Sequence, residues 1–293
     1  MMDKLLITGS TGMLGGYVMS EVDRNKWSII APTRSMFNLD EPSLLYDYII
    51  ANNPQIILHM AAETDVDQCE IDPHIAARRN ALSTQEIARA ARKCGAYLLY
   101  ISTSNIFSSS ERLIFNELDV PSPCNYYGKS KFFGEKVIEN SGPSDYLIIR
   151  AGWMIGGGRQ KDHKFVGRII KAIDNNAEEI RAVNDRIGSI TYAHLLSKFI
   201  RWALDNKPTG IIHYSSTGAI SRYEIAVEIA RILNFNGRVI PVSSPIFPLP
   251  APRPLSDAIE TIYLSVMNGA PISGSWREDL ETYVRTFINT PSG

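Results

Sequence analysis

An α/β fold, a Rossmann-like doubly wound parallel sheet, is what this chain of 293 residues predicts. Three observations lead there. Short apolar runs alternate with longer helical patterns through the first half. Connections of that length suit parallel strands, whose sheet is then covered by helices on both faces. A glycine-rich turn, Thr8-Gly9-Ser10-Thr11-Gly12-Met13-Leu14-Gly15, follows the first run and opens the first helical pattern.

In order, the pattern predicts a strand at 4–8, a helix at 13–22, a strand at 27–31, a helix at 42–52 and a strand at 55–59. One long amphipathic helix follows at 75–93, with Ile87, Ala90 and Ala91 at helical spacing. Then come a strand at 96–101, a helix at 126–140 and a strand at 146–150. Ligands of such sheets lie beyond the carboxyl ends of the strands, which marks Gly9, Arg34, Ala61, Thr103 and Trp153. After Ala151 the rhythm loosens. Helices are predicted at 165–173, 193–204 and 223–233, and strands at 210–214 and 238–242. Pro245–Pro254, with five prolines, must be irregular. The organisation expected is a dinucleotide-binding domain over residues 1–152 and a smaller α+β substrate lobe over 153–293, interleaved with the sheet.

A net charge of −1 gives no general attraction to nucleic acid or to anionic membrane. No apolar run reaches the ~18 residues of a membrane span, and Leu5-Leu6-Ile7 comes too early for a leader peptide. Three scattered cysteines, Cys69, Cys94 and Cys124, fit a reducing cytoplasm. The five histidines show no metal-ligand spacing, so no metal site is expected.

The glycine turn has a division of labour: Gly9 for the tight turn, Gly12 for approach to a pyrophosphate, Gly15 for close packing of helix on sheet. Thr11, Met13 and Leu14 line the same turn. A dinucleotide is therefore expected on the first helix N-terminus. The second strand ends Ala31-Pro32-Thr33-Arg34-Ser35 without an acid. Arg34 suits the 2′-phosphate of NADP, so NADP(H) is preferred and NAD(H) stays open; a solvated surface arginine is the plain alternative.

Tyr127 and Lys131 stand at i and i+4 on a predicted helix, hence on one face. A phenol of ordinary pKa near ~10 exchanges protons poorly at neutral pH. An adjacent ammonium is expected to lower it, and the same lysine can hold a nicotinamide ribose. Thr103, at the end of Ile101-Ser102-Thr103-Ser104, would bind the substrate oxygen. The pair alone is common on surface helices; the glycine turn and Thr103 raise its meaning.

Together these segments resemble the extended short-chain dehydrogenase/reductases, and more narrowly the dTDP-4-dehydrorhamnose reductase family. The likeness runs through His59-Met60-Ala61-Ala62-Glu63-Thr64-Asp65-Val66, Asn80-Ala81, Ser102–Phe107, Tyr127-Gly128 with Lys131 and Gly134-Glu135, Arg150–Trp153, Lys164-Phe165, Val183-Asn184-Asp185 and Pro252-Arg253-Pro254. The resemblance implies Thr103, Tyr127 and Lys131 as the catalytic set. It implies Ala61, Ala62 and Thr64 along the cofactor and Asn38 and Leu39 near the adenine. Val66 and Trp153 would lie near the sugar, and Lys164 and Arg253 in the substrate lobe. Trp153 also has an ordinary core reading, and Lys164 and Arg253 a solvated one. The implied reaction is reduction of the C4 carbonyl of a 4-keto-6-deoxy sugar nucleotide, dTDP-linked, with a homodimer left open. Departures stand at Ser104-Asn105 for the family's Asp-Tyr, at Ser108-Ser109 for Asp-Gly and at Glu63 for an aromatic residue or histidine. The rival readings are a sugar-nucleotide 4-epimerase and a non-catalytic NADP-binding subunit like that of methionine adenosyltransferase.

Overall fold

The structure is a computed structural model that describes residues 2–109 and 113–289. The sheet half contains β1 (Asp3–Thr8), α1 (Met13–Glu21), β2 (Trp27–Ile30), α2 (Pro42–Asn52) and β3 (Ile56–His59). It continues with α3 (Val66–Ile71), α4 (Pro73–Ala76), a π-helical turn (Ala77–Leu82), α5 (Ser83–Cys94), β4 (Tyr97–Thr103), β5 (Ile114–Phe115), α6 (Tyr126–Ser141) and β6 (Tyr146–Ala151). Then follow β7 (Trp153–Ile155), α7 (Gly158–Lys161), α8 (Phe165–Asp174), β8 (Glu179–Val183), β9 (Ile187–Gly188) and β10 (Ile190–Tyr192). The last stretch holds α9 (Ala193–Asn206), β11 (Gly210–Tyr214), β12 (Ile220–Ser221), α10 (Arg222–Ile232), β13 (Arg238–Val242), β14 (Ala258–Ile259) and α11 (Trp276–Asn289).

The main sheet is parallel, in the order β2-β1-β3-β4-β6-β11. Side chains alternate across it with period two. Leu5, Ile7, Leu58, Leu99, Ile101 and Ile149 pack on one face against Val18 of α1 and Leu196, Phe199 and Ile200 of α9. Leu6, Ile57, Leu98, Tyr100 and Ile148 pack on the other against Leu45 and Ile49 of α2 and Ile87, Ala88 and Ala91 of α5. The sixth strand, β11, and the covering helix α9 thus come from the second half of the chain. A separate core joins α8, α10 and α11 through Ile169, Ile170, Ile225, Ile229, Leu280 and Phe287.

Three helices lie where the sequence reading placed none: α3, the short α7 and α11. α3 starts at Asp65, whose carboxylate accepts from the N–H groups of Asp67 and Gln68. α11 follows a reciprocal cap in which Ser275 and Glu278 exchange side-chain and backbone hydrogen bonds. The long helix expected at 75–93 is not continuous: the π-helical turn interrupts it and turns Asn80 inward, 1% exposed.

One ion pair is fully buried beneath the sheet's carboxyl edge. Arg150 on β6 donates to Glu135 on α6 at 2.8 Å, and Ser102 of β4 donates to the same carboxylate. Arg150 also faces His213 Nε2 at 3.3 Å. His213 Nδ1 lies 3.0 Å from the Glu260 carbonyl, so Nδ1 carries the proton and Nε2 accepts. Burial lowers the His213 pKa to about 4, keeping the ring neutral. Among the described residues no helix is long and apolar enough to cross a membrane.

Candidate active site

The strand order reverses at β1: β2 lies on one side and β3 on the other. The crevice of such a sheet opens there, beyond Thr8 and its register partner His59. Gly9 has φ 72°, and a Cβ on it would lie 2.8 Å from the Ala61 nitrogen. A Cβ on Gly15 would lie 2.2 Å from the Gly9 carbonyl oxygen. Both positions therefore need glycine for α1 to come this close to the strand ends. α1 begins at Gly12 with no side-chain cap and no acid in its first turn. Its first N–H groups are left for an anion, as a pyrophosphate requires. Leu14 is buried in the sheet core, so it can offer the crevice only its backbone, whereas Thr11 is exposed.

The β3 loop is held by a relay of hydroxyls. Thr8 Oγ1 accepts from the N–H groups of Met60 and Ala61, each at 3.1 Å. It gives its own proton to His59 Nδ1 at 2.9 Å. His59 Nε2 then donates to Thr84 Oγ1, which donates to the Asn80 carbonyl. Burial lowers the His59 pKa to about 3, so the neutral ring suits this relay. Ala61, Ala62 and the exposed Thr64 follow on the loop so fixed.

Arg34 is exposed past β2, on a turn where Thr33 and Ser35 hydroxyls meet at 2.9 Å, and it makes no ion pair among the described residues. Asn38 bonds Glu41 and the Asp40 nitrogen, and Leu39 packs on the α2 side of the core. A charged bridge closes this edge: Arg79 reaches Asp40 at 2.7 Å and Glu63 at 2.8 Å. The hydrogen bond from Arg79 holds the Asp40 carboxyl below the usual range.

α6 begins at Asn125, whose Oδ1 accepts from the Gly128 nitrogen at 2.8 Å. A Cβ on Gly128 would lie 2.3 Å from the Asn105 carbonyl, so glycine lets α6 press onto the end of β4. Tyr127 is thereby set beside Thr103. Asn80 ties this helix to the β3 loop: it donates to Ser130 Oγ and to the Glu63 carbonyl, and accepts from the Glu63 nitrogen. Lys131 is 3% exposed, with Nζ 4.1 Å from the centre of the Tyr100 ring. Burial lowers its pKa to about 7, against the pull of Glu135. Burial also pushes Tyr127 up to about 12, with the Thr103 hydroxyl opposing. The expected acidification of Tyr127 by Lys131 is thus corrected: the lysine is itself starved of solvent and rests over Tyr100.

On the opposite wall, the Trp153 indole donates to Asp257 Oδ2 at 3.3 Å, and a Cβ on Gly188 would fall 2.3 Å from its ring. The Arg222 guanidinium lies 3.8 Å from the ring centre and 5.0 Å from that of Phe165. Burial brings Arg222 down to about 10; Asp257 opposes this, and Arg168 and Arg253 add to it. Crowding by the surrounding protein lowers the Lys164 pKa, and Arg222 contributes. Lys164, Arg168, Arg222 and Arg253 therefore share one positive field. Arg253 is not simply solvated: it pairs with Asp67 at 2.8 Å, the residue after Val66 on α3.

These parts match known proteins from end to end. Residues 2–289 fit the model of a family described as the RmlD substrate binding domain. The chain belongs to this family. It is similar to the dTDP-4-dehydrorhamnose reductase of Yersinia enterocolitica, with a TM-score of 0.95 and 52% identity, over 97% of this chain and 99% of that one. A dTDP-4-dehydrorhamnose reductase from Bacillus anthracis, solved in complex with NADP, has a TM-score of 0.90 and 32% identity, over 99% and 100% of the two chains. The spore coat polysaccharide biosynthesis protein SpsK of Bacillus subtilis is 30% identical over 97% of this chain and 98% of its own. The resemblance read from ordered motifs is therefore the family found.

Within this RmlD family chain, sequence reasoning missed Arg222, Arg168, Arg79 and Asp257. Arg222 had one usable signal. Ser221-x-x-Glu224 is a capping box, which sets Arg222 at the first position of α10. Glu63, one of the departures, binds Arg79 and accepts from the Asp65 nitrogen at 3.0 Å. Ser104 and Asn105, the others nearest Thr103, both donate to Asp257.

Proposed function

We propose that this protein reduces the C4 carbonyl of a 4-keto-6-deoxy sugar nucleotide, dTDP-linked, using NADPH. The observation that carries the reading is Tyr127 set beside Thr103 at the carboxyl edge of β4, in a chain of this family. Bound in the crevice, the nicotinamide supplies the hydride. Tyr127 gives its phenolic proton to the C4 oxygen, and Thr103 holds that oxygen as charge develops on it. Lys131 would hydrogen-bond the ribose of a bound nicotinamide nucleotide. Val66 and Trp153 flank the sugar, and the field of Lys164, Arg168 and Arg222 receives the diphosphate. The cytoplasm is the proposed place of action, in keeping with three free cysteines. A homodimer is the assembly to test, by light scattering.

The direct test follows NADPH and NADH oxidation at 340 nm against a panel of 4-keto sugar nucleotides. Turnover is expected with the dTDP-linked 4-keto-6-deoxy sugar; no oxidation with any member overturns the reading. NADP as cofactor is supported by the Bacillus anthracis relative and by the exposed Arg34. Arg34→Gln should raise the KM for NADPH about tenfold and leave that for NADH within about twofold, since only the 2′-phosphate meets the guanidinium. Equal changes for both would remove Arg34 from the cofactor site.

A further inference from the structure

We propose that Asp257 supplies, from the second half of the chain, the carboxylate that the end of β4 lacks at Ser104, and that it positions Trp153 and Asn105 against the sugar. The resemblance drawn from the sequence places an acid directly after Thr103; here Ser104 stands there. An acid is nonetheless present in space. Ser104 Oγ donates to Asp257 Oδ2 at 3.1 Å, and the same oxygen accepts from Asn105 Nδ2 and Trp153 Nε1, each at 3.3 Å. Asn105 Oδ1 accepts in turn from Asn125 Nδ2 at 2.7 Å, and Asn125 caps the helix that carries Tyr127. One carboxylate oxygen therefore links the strand end with Thr103, the helix with Tyr127 and the indole of Trp153.

The arrangement is costly in a way that a packing role does not explain. Asp257 is 2% exposed, and a buried carboxylate is expensive unless donors and a counter-charge surround it. Burial raises the Asp257 pKa, and the three donors with the attraction of Arg222 oppose that cost in part. Its backbone is anchored as well: Asp257 N–H donates to the Ile187 carbonyl at 3.0 Å, and β14, which starts at the next residue, pairs with β5. Serine and aspartate form a matched pair in which either position can hold the acid, but not both. An acid at 104 would face Asp257 across a hydrogen-bond distance, and like charges so placed repel.

The kinetic arm of the test rests on the proposed reduction; the spectroscopic arm does not. Three variants are compared: Asp257→Ser, Ser104→Asp and the double exchange. The first readout is the ¹⁵N–¹H resonance of the Trp153 indole, assigned with Trp153→Phe. The second is the KM for the sugar nucleotide beside kcat and the KM for NADPH. Asp257→Ser is expected to shift the indole resonance and raise the sugar-nucleotide KM about tenfold, with kcat and the NADPH KM within about threefold of wild type. Ser104→Asp should be impaired in the same sense. The double exchange should restore the resonance and bring the KM back to within about threefold, a coupling that independent sites would not show. If Asp257→Ser fails to fold, Asp257→Asn keeps the shape and one acceptor oxygen, and its KM should fall between. An indole resonance and KM unmoved by loss of the acid, or a double exchange no better than the worse single variant, overturns the proposal. If wild type reduces nothing in the panel while the resonance moves and returns, the positioning by Asp257 stands and the reading of the substrate falls.

Discussion

Tyr127→Phe should lower kcat for carbonyl reduction by about a thousandfold while leaving the KM for NADPH within about twofold. The variant removes one oxygen and keeps the ring, so α6 and its contacts persist. What is lost is the proton and the hydroxyl that stands beside Thr103. Burial holds Tyr127 near 12, well above the ordinary phenol, so the donor stays protonated across the working range. The rate of reduction should therefore show no loss from Tyr127 ionisation between pH 6 and about 10. The reverse oxidation needs the phenolate and should rise with pH through the same range. Single-turnover measurements in both directions check this, together with NADPH fluorescence for binding. Normal turnover by the phenylalanine variant, or a reduction rate that falls with an apparent pKa near neutrality and does so equally in the variant, would remove Tyr127 as the donor.

The sheet was legible because buried parallel strands and their helices repeat one pattern long enough to be read. β1, β3, β4 and β6 are apolar throughout their central residues, and α2 was bounded at Pro42 and Asn52 by a proline start and a left-handed Asn53 at its end. The two-residue strands β5, β9, β12 and β14 cannot display any period, since their pairing is set by partners distant in sequence. The interruption after α4 was hidden for another reason. A π-helical turn adds a residue without a break in apolar content, so the pattern at 75–93 reads as one broad stripe. α11 was legible in principle, from the Ser275–Glu278 cap and from Trp276, Leu280, Tyr283, Val284 and Phe287 at helical spacing.

The site divides along the same line. Glycines at fixed offsets and a tyrosine–lysine pair at i, i+4 are local patterns, and Thr103 sits where a strand end is expected. Asp257 and Arg79 arrive singly from remote segments, with no spacing to mark them, and Arg222 is marked only by the capping box before it. Nor does spacing say where a side chain finishes. Tyr127 and Lys131 share a helix face as predicted, yet Nζ turns over Tyr100 and away from the role of acidifying the phenol.

That misfit gives the second large prediction: Lys131→Met should make the ligand-free protein more stable at pH 7 while abolishing most of its reductase activity. A lysine moved from its ordinary value of 10.5 to about 7 reports an ammonium unwelcome in the fold. The full displacement corresponds to roughly 5 kcal/mol, burial outweighing the attraction of Glu135. Relaxation of the site reduces what a methionine can recover, so about 1–3 kcal/mol is expected. The sign with pH is fixed. Between about 7 and 10.5 the unfolded chain binds a proton that the folded chain does not, so this lysine makes wild type gain stability as pH rises through that window. The advantage of the methionine variant should accordingly be largest at pH 7 and vanish near pH 10.5. Other groups that titrate at high pH, such as the buried tyrosines, cancel in the difference between the two proteins. Urea unfolding of both at pH 7 and at pH 10 measures it. Saturating NADPH should then reverse the order, because it stabilises the form it binds by about 2.7 kcal/mol at a hundredfold excess over Kd, and the variant lacks the ribose contact. A variant less stable than wild type at pH 7, or one whose advantage is the same at both pH values, would mean that Lys131 is a settled part of the core and not a charge held there for the cofactor.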